Sequence, residues 1–328
     1  MRILVFGGTR FLGRAIVEDA LARGHVLALF HRGRSNPSLW PEAEHLVGDR
    51  ETDLHLLANR SFDVVIDTSA FEVFTVRKAA RAVGAVPYVF VSSISVYAES
   101  ARMAEGDPVR DVEGAESATL SLDRYGALKA TCERALEEEN PGRVLSVRAG
   151  KIDGPHDLDE RFRHWLVRIA AGGEVLAPGD PDALVQDIDV RDLASWIVTC
   201  AENRATGVMN ATGEPMTMRA MLETIRDVVQ SDARFTWVPD EILVADGVVP
   251  YSELPYWIPK SEGARPVPIE RAKHAGLSLR PFTETVRDTW AWMRASWNDE
   301  ARIRELRRLK ITAGISEQRE RRLLKASR

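Results

Sequence analysis

Cysteine is scarce: Cys132 and Cys200 are the only two in 328 residues. Two thiols cannot build a disulfide framework, so reduced cysteines in a cytoplasmic protein are expected. Histidine is sparse as well, with 7 scattered along the chain and no Cys/His cluster at ligand spacing, so no metal site is expected. Long apolar runs are lacking. Nothing approaches the ~20 residues of a membrane helix, and residues 3–6 give way to glycine too early for a signal-peptide core, so no membrane partner is expected. Nor is there a basic excess, since 44 Lys+Arg stand against 49 Asp+Glu for a net charge of −5. Bulk electrostatics therefore argue against a nucleic-acid partner.

What is present is globular. Hydrophobic residues make up 45% and charged residues 28%, enough for one large α/β unit or two unequal domains. Short apolar runs at 3–6, 26–30, 46–47, 63–67, 86–91 and 144–147 alternate with amphipathic stretches at 11–22, 73–83 and about 120–139. Buried, β-branched runs spaced by helices predict an α/β doubly wound parallel sheet of the Rossmann type. That domain is expected over residues 1–150, completed by strands within about 185–212. Residues 151–297 are punctuated by prolines and gather Trp165, Trp196, Trp237, Tyr251, Tyr256 and Trp257. They predict a smaller, interleaved lobe for a small-molecule substrate, although each tryptophan alone reads first as core filling. Residues 298–328 are charge-dense and helix-prone, broken at Ala313-Gly314. Ile303, Leu306, Leu309, Leu323 and Leu324 are spaced as stripes for a surface or oligomer-facing helical hairpin, with Arg319–Arg322 as a solvated face.

The segment Gly7-Gly8-Thr9-Arg10-Phe11-Leu12-Gly13 lies between the first strand and the first helix. Glycines there let the backbone turn tightly and approach a pyrophosphate, which rests on the helix N-terminus. Arg10 stands where a dinucleotide loop usually has its middle glycine. An NAD-preferring site places an acid at the end of the second strand, whereas this chain reads Leu29-Phe30-His31-Arg32-Gly33-Arg34 with no carboxylate until Glu42. Arg10, Arg32 and Arg34 suit a 2′-phosphate. At ~1.5–3 kcal/mol per charge-assisted hydrogen bond, two of them would favour NADP(H) over NAD(H) by about 10²–10⁴. Asp49 reads equally as an adenine contact and as a cap. Thr68 and Ser69, following the run at 63–67, are counted with the cofactor residues.

Two further segments carry chemistry. Ser92-Ser93-Ile94-Ser95 puts hydroxyls at the exit of a buried strand, and Tyr125-Gly126-Ala127-Leu128-Lys129 puts a phenol and an ammonium at i and i+4 on one helical face. At these residues the chain resembles the short-chain dehydrogenase/reductase superfamily, in its extended, epimerase/dehydratase-like branch. The resemblance covers roughly residues 1–212 and includes Arg148, Gly154-Pro155 and Asp189-Val190-Arg191-Asp192-Leu193-Ala194. The glycine loop looks most like atypical members whose relatives include chloroplast stem-loop RNA-binding proteins.

The resemblance implies a Ser93–Tyr125–Lys129 triad. Tyr125 would exchange a proton with a substrate oxygen. Lys129 would lower the phenol pKa and hold the nicotinamide ribose, and Ser93 would orient the carbonyl. His156, with Asp157, falls where this branch lines its substrate cavity and reads equally as part of a loop-capping pair, and Ser95 and Lys151 are counted with it as substrate-binding residues. Oligomeric state stays open, although the helix carrying the Tyr-x-x-x-Lys pair often joins a dimer bundle in the resembled family, which makes a homodimer a candidate.

Three features depart from nucleotide-sugar epimerases and dehydratases. Lys151 replaces an Asn, no arginine clamp occurs over residues 178–186, and no Asp-Glu pair follows Ser93. The expectation is therefore an NADPH-dependent reductase of a small-molecule carbonyl. Two alternatives stay open: a nucleotide-sugar epimerase/dehydratase whose clamp has moved to Arg161, Arg163 or Arg168, and a non-catalytic dinucleotide-binding regulatory or RNA-binding protein.

Overall fold

The computed structural model describes residues 1–111, 114, 121, 124–157, 159–296 and 313–328. Contacts divide the chain into two units: residues 1–152, 190–213 and 267–279 form one, and 153–189, 214–266 and 280–328 the other.

In the first unit the alternation becomes β1 (Arg2–Phe6), α1 (Phe11–Ala22), β2 (Val26–His31), β3 (Glu44–Val47), β4 (Val64–Asp67), α2 (Val73–Val83), β5 (Tyr88–Ser93), α3 (Tyr125–Glu139) and β6 (Val144–Ala149). After these come α4 (Val190–Glu202) and β7 (Gly207–Ala211). The strands make one sheet in the order β7-β6-β5-β4-β1-β2-β3, with every pair parallel. Parallel pairing demands crossovers that cover both faces, so a central strand must be apolar on both sides. Ile3, Leu4 and Val5 are accordingly fully buried. Leu4, Phe6 and Phe30 pack with Val73 and Val76 of α2 and with Cys132 and Leu136 of α3, while α1 packs against α4. The chain runs outward from β1 through β2 and β3, then restarts at β4 on the other side. Ligands of such sheets bind at the strand carboxyl ends beside that switch point.

Most strand ends shift by one or two residues from the sequence pattern, and two of the shifted boundaries are those of β5 and α3. β5 begins at Tyr88 because Val86 N–H closes a turn on the Gly84 carbonyl and Pro87 has no N–H to give. The helix expected from about residue 120 begins at Tyr125, and residues 120, 122 and 123 lie outside the described residues.

The second unit has its own core. Phe162, Trp165, Leu166 and Ile169 of the helix Glu160–Ala170 pack with Met221, Leu222 and Ile225 of the helix Met218–Val229, and with Trp257. Asp159 and Thr217 cap those helices by accepting from Arg161 N–H and Ala220 N–H. Strands Glu174–Pro178 and Arg234–Val238 pair in parallel. Trp165 and Trp257 are core residues here, and Trp196 is buried in the first unit.

The expected surface hairpin needs correction. Ile303, Leu306 and Leu309 lie outside the described residues, but the helix Glu317–Ala326 buries Leu323 and Leu324 in this core. Burying such a side chain contributes ~1.5–3 kcal/mol, which suffices to dock an otherwise charged helix. Its buried Glu320 accepts from Arg168 Nε at 2.8 Å and from Leu176 N–H at 3.0 Å. Arg319 and Arg322 are engaged by Asp246, and Arg319 also by Glu253. Among the described residues no helix is long and apolar enough to cross a membrane.

Candidate functional site

The glycine loop is shaped by space as much as by backbone freedom. Gly7 and Gly8 have φ of 110° and 97°, a region that strains any L side chain. A Cβ on Gly7 would sit 2.5 Å from Thr68 Oγ1, and one on Gly13 would sit 2.7 Å from the Gly8 amide nitrogen. Phe11, Leu12 and Gly13 form the first turn of α1, which carries no acidic residue there. The open N–H groups of that turn therefore face no competing carboxylate within it. This is a cradle that fits a pyrophosphate.

Beside it lies a cavity of about 450 Å³. Its walls are residues 6–10 at the end of β1, 30–35 at the end of β2, 48–51 after β3, and Ser69, Phe71, Glu72 and Thr75. Arg10, Arg32 and Arg34 all line it and are all exposed. Their side chains make no hydrogen bond or ion pair among the described residues. Asp49 also lines it, yet its carboxylate accepts from Glu51 N–H at 3.0 Å and so caps the turn after β3. Ser69 is a wall residue, whereas Thr68 turns inward and donates to the Phe6 carbonyl at 3.0 Å.

Arg50 is a wall residue that sequence reasoning missed. Its guanidinium holds Asp67 at 2.7 Å, and Tyr88 Oη donates to the same carboxylate at 2.7 Å. Burial works to raise the Asp67 carboxyl, but Arg50 and the hydrogen bonds outweigh it and hold it below its usual value. Its signal was the acid closing the run at 63–67, which had no partner assigned.

The Ser93, Tyr125 and Lys129 region lies at the ends of β5 and α3. Ser93 Oγ accepts from Ser95 N–H at 3.1 Å, which leaves its own hydroxyl hydrogen free to donate. Its neighbours are distinguishable, since Ser92 is buried and donates to Glu133 at 2.5 Å, while Ser95 is exposed. A Cβ on Gly126 would collide with the Ser95 carbonyl, so the Tyr-Gly pair lets the start of α3 press against the segment after Ser93. Lys129 is 2% exposed and donates to the carbonyls of Ala70 at 2.7 Å and Val91 at 2.8 Å. The faces of Phe71 and Phe90 lie 4.4 and 4.7 Å from its ammonium. Burial pushes its pKa down to about 8. Phe71 joins the regions: it lines the cavity, and its ring lies 6.2 Å from that of Tyr125.

Glu133, four residues beyond Lys129, was also missed, although the same i, i+4 spacing marks it. It pairs with Arg148 at 2.7 Å. Of the expected substrate residues, Lys151 is buried with Nζ 3.1 Å from the Ile152 carbonyl. His156 belongs to the second unit, has φ of 70°, and packs edge-on against Trp292 at 5.3 Å. Two of the arginines considered as a moved clamp are engaged locally: Arg161 by Asp159, and Arg168 by Glu320 and the carbonyls of Gly172 and Glu174.

Residues 63–212 match the model of the NAD dependent epimerase/dehydratase family. The chain is 27% identical over 237 residues to the chloroplast stem-loop binding protein of 41 kDa b from Arabidopsis thaliana, covering 65% of this chain and 59% of that one. It is 27% identical over 258 residues to 2-alkyl-3-oxoalkanoate reductase from Stenotrophomonas maltophilia, covering 69% and 74%. Among solved structures, UDP-N-acetylglucosamine 4-epimerase from Methanobrevibacter ruminantium superposes with a TM-score of 0.66 at 21% identity, over 90% of this chain and 98% of that one. The family match over residues 63–212 and the shared parallel sheet make the chain similar to the extended, NAD(P)-dependent epimerase/dehydratase-like branch of the short-chain dehydrogenase/reductase superfamily.

Proposed function

We propose that the protein is an NADPH-dependent reductase of a small-molecule carbonyl. The observation that carries this reading is the set Arg10, Arg32 and Arg34, three guanidiniums without partners among the described residues around one cavity. No carboxylate stands at the end of β2 to meet a ribose 2′-hydroxyl. Arginines in that setting favour a phosphate on the ribose, through charge-assisted bonds of ~1.5–3 kcal/mol each.

When bound, a nicotinamide dinucleotide supplies the hydride donor. The chain's own residues handle the proton and the geometry. Ser93 donates its free hydroxyl hydrogen to the substrate oxygen and orients it. Tyr125 gives that oxygen a proton as negative charge develops there. A free phenol with a pKa of about 10 gives and takes protons sluggishly near neutrality. The neighbouring Lys129 ammonium stabilises the phenolate and brings that pKa down. Two of its three N–H groups are occupied by the Ala70 and Val91 carbonyls, and the third would hold a ribose hydroxyl of the dinucleotide. Acid–base help of this kind contributes ~10²–10⁴ in rate.

Incubation with NADPH, NADH and a panel of ketones and aldehydes tests the reading. Carbonyl-dependent NADPH oxidation, lost in Tyr125→Phe, is the expected result. Tight retention of NAD with interconversion of sugar-nucleotide epimers would overturn it in favour of the epimerase.

A further inference from the structure

Away from the proton-transfer residues, a chain of hydrogen bonds runs through His31, the last residue of β2, and His45 of β3. Gly33 N–H donates to His31 Nδ1 at 3.0 Å. His31 Nε2 lies 2.8 Å from His45 Nδ1, and His45 Nε2 lies 3.0 Å from the Trp40 carbonyl. The two ends dictate where the protons sit. A peptide N–H only donates, so His31 Nδ1 accepts and its hydrogen is on Nε2. A carbonyl only accepts, so His45 Nε2 carries hydrogen and its Nδ1 accepts. Every ring nitrogen then has one partner and both imidazoles are neutral. A further proton on either ring would set donor against donor. His31 is 7% exposed, and burial first, then His45, lowers its pKa in keeping with the neutral form.

The chain continues into the glycine loop. Trp40 Nε1 donates to the Gly8 carbonyl at 3.4 Å, and Asn36 Nδ2 donates to the Thr9 carbonyl at 3.0 Å. Residues 32–40 are thus pinned to the paired imidazoles on one side and to the pyrophosphate cradle on the other. Gly33, the residue that His31 holds, has φ of 68°, and a Cβ there would press on Val47 at 3.1 Å. Arg32 and Arg34 flank it. Their side chains have no anchor of their own, so only the backbone between them sets where they reach.

We propose that His31 and His45 are positioning residues for dinucleotide selection: through Gly33 they aim Arg32 and Arg34 at an adenosine 2′-phosphate. This inference rests on the NADP(H) reading above. A long side chain that must find its geometry on a loose backbone surrenders more conformational freedom on binding, so fixing the backbone in advance raises affinity for the group those side chains meet. NADPH and NADH differ only in that phosphate. A positioning role therefore moves the NADPH affinity more than the NADH affinity, whereas a purely structural role lowers both equally or only the melting temperature.

Titration of the full chain with NADPH and with NADH, followed by cofactor fluorescence at about pH 8 where free imidazoles are neutral, separates these cases. His31→Phe and His45→Phe are expected to weaken NADPH by about tenfold more than they weaken NADH. His31→Asn, whose Oδ1 can still accept from Gly33 N–H, is expected to recover most of the NADPH affinity, and it carries the test if the phenylalanine variants do not fold. Equal weakening of both dinucleotides, or no weakening of NADPH, overturns the inference while leaving a wild-type NADPH preference intact. A wild type without that preference removes the underlying reading instead.

Discussion

Arg148 and Glu133 meet inside the first unit at 2.7 Å, with side chains only 6% and 8% exposed. Ser92 donates to the same carboxylate, so the strand end that bears Ser93 is tied to the helix that bears Tyr125 and Lys129. Breaking a buried pair leaves an uncompensated charge and costs ~3–5 kcal/mol. Urea unfolding of Glu133→Gln is expected to show a loss of that size. A loss below ~1 kcal/mol would mean that the pair is not buried as described.

Gly13 is where backbone meets backbone. The 2.7 Å approach of a Cβ to the Gly8 nitrogen leaves no flexible side chain to yield. Strain of ~1–3 kcal/mol from such overpacking is borne by the cradle itself. Gly13→Ala is expected to keep its circular dichroism and lose about 10–10² in dinucleotide affinity. Unchanged affinity by calorimetry contradicts the cradle.

Lys129 makes a prediction with a sign. Its pKa of about 8 lies below the free-amine value, so above pH 8 the folded chain binds fewer protons than the unfolded one. Its contribution to stability therefore rises with pH through that window, while any function of the ammonium falls. Profiles of kcat/KM against pH are expected to drop above about pH 8 in the wild type. Lys129→Met is expected to lower the rate ~10²–10⁴ and to lack that limb. Retention of both the rate and the limb would remove Lys129 from the site.

His164 gives the acid-side counterpart in the second unit. Burial pushes its pKa down to about 4, with Glu320 opposing and Arg168 assisting. The unfolded chain takes up the proton first, near pH 6.5, so the stability from this group is full above that value and drains away as pH falls toward 4. The loss is on the order of 2–3 kcal/mol at the acid end. Melting temperatures from pH 7 down to pH 4 are expected to fall less in His164→Phe than in the wild type. Parallel curves would contradict this.

Much of the first unit is legible in the sequence because its signals are local. Apolar runs separated by amphipathic stretches name the strands and helices, and the loop 7–13 and the pair Tyr125/Lys129 need only neighbours in sequence. What escapes is whatever depends on sheet pairing or on distant partners. His45 stands opposite Leu29 in the β2–β3 register, so its meeting with His31 is written in no local pattern. Arg50 finds Asp67 across 17 residues. The C-terminal helix reads as a charged surface element, because two leucines among arginines give a weak stripe until a core is there to receive them. Asp49 shows the reverse case: local turn chemistry, not the ligand, explains its orientation.

The preference between the two dinucleotides bears most directly on the proposed function. Equilibrium titration of the wild type with NADPH and NADH, alongside Arg10→Gln, Arg32→Gln and Arg34→Gln, reads it without any substrate. NADPH is expected to bind about 10²–10⁴ more tightly, and each substitution is expected to remove about tenfold of that margin while leaving NADH unaffected. Equal affinities in the wild type, or tighter binding of NADH, would contradict the assignment of these three arginines.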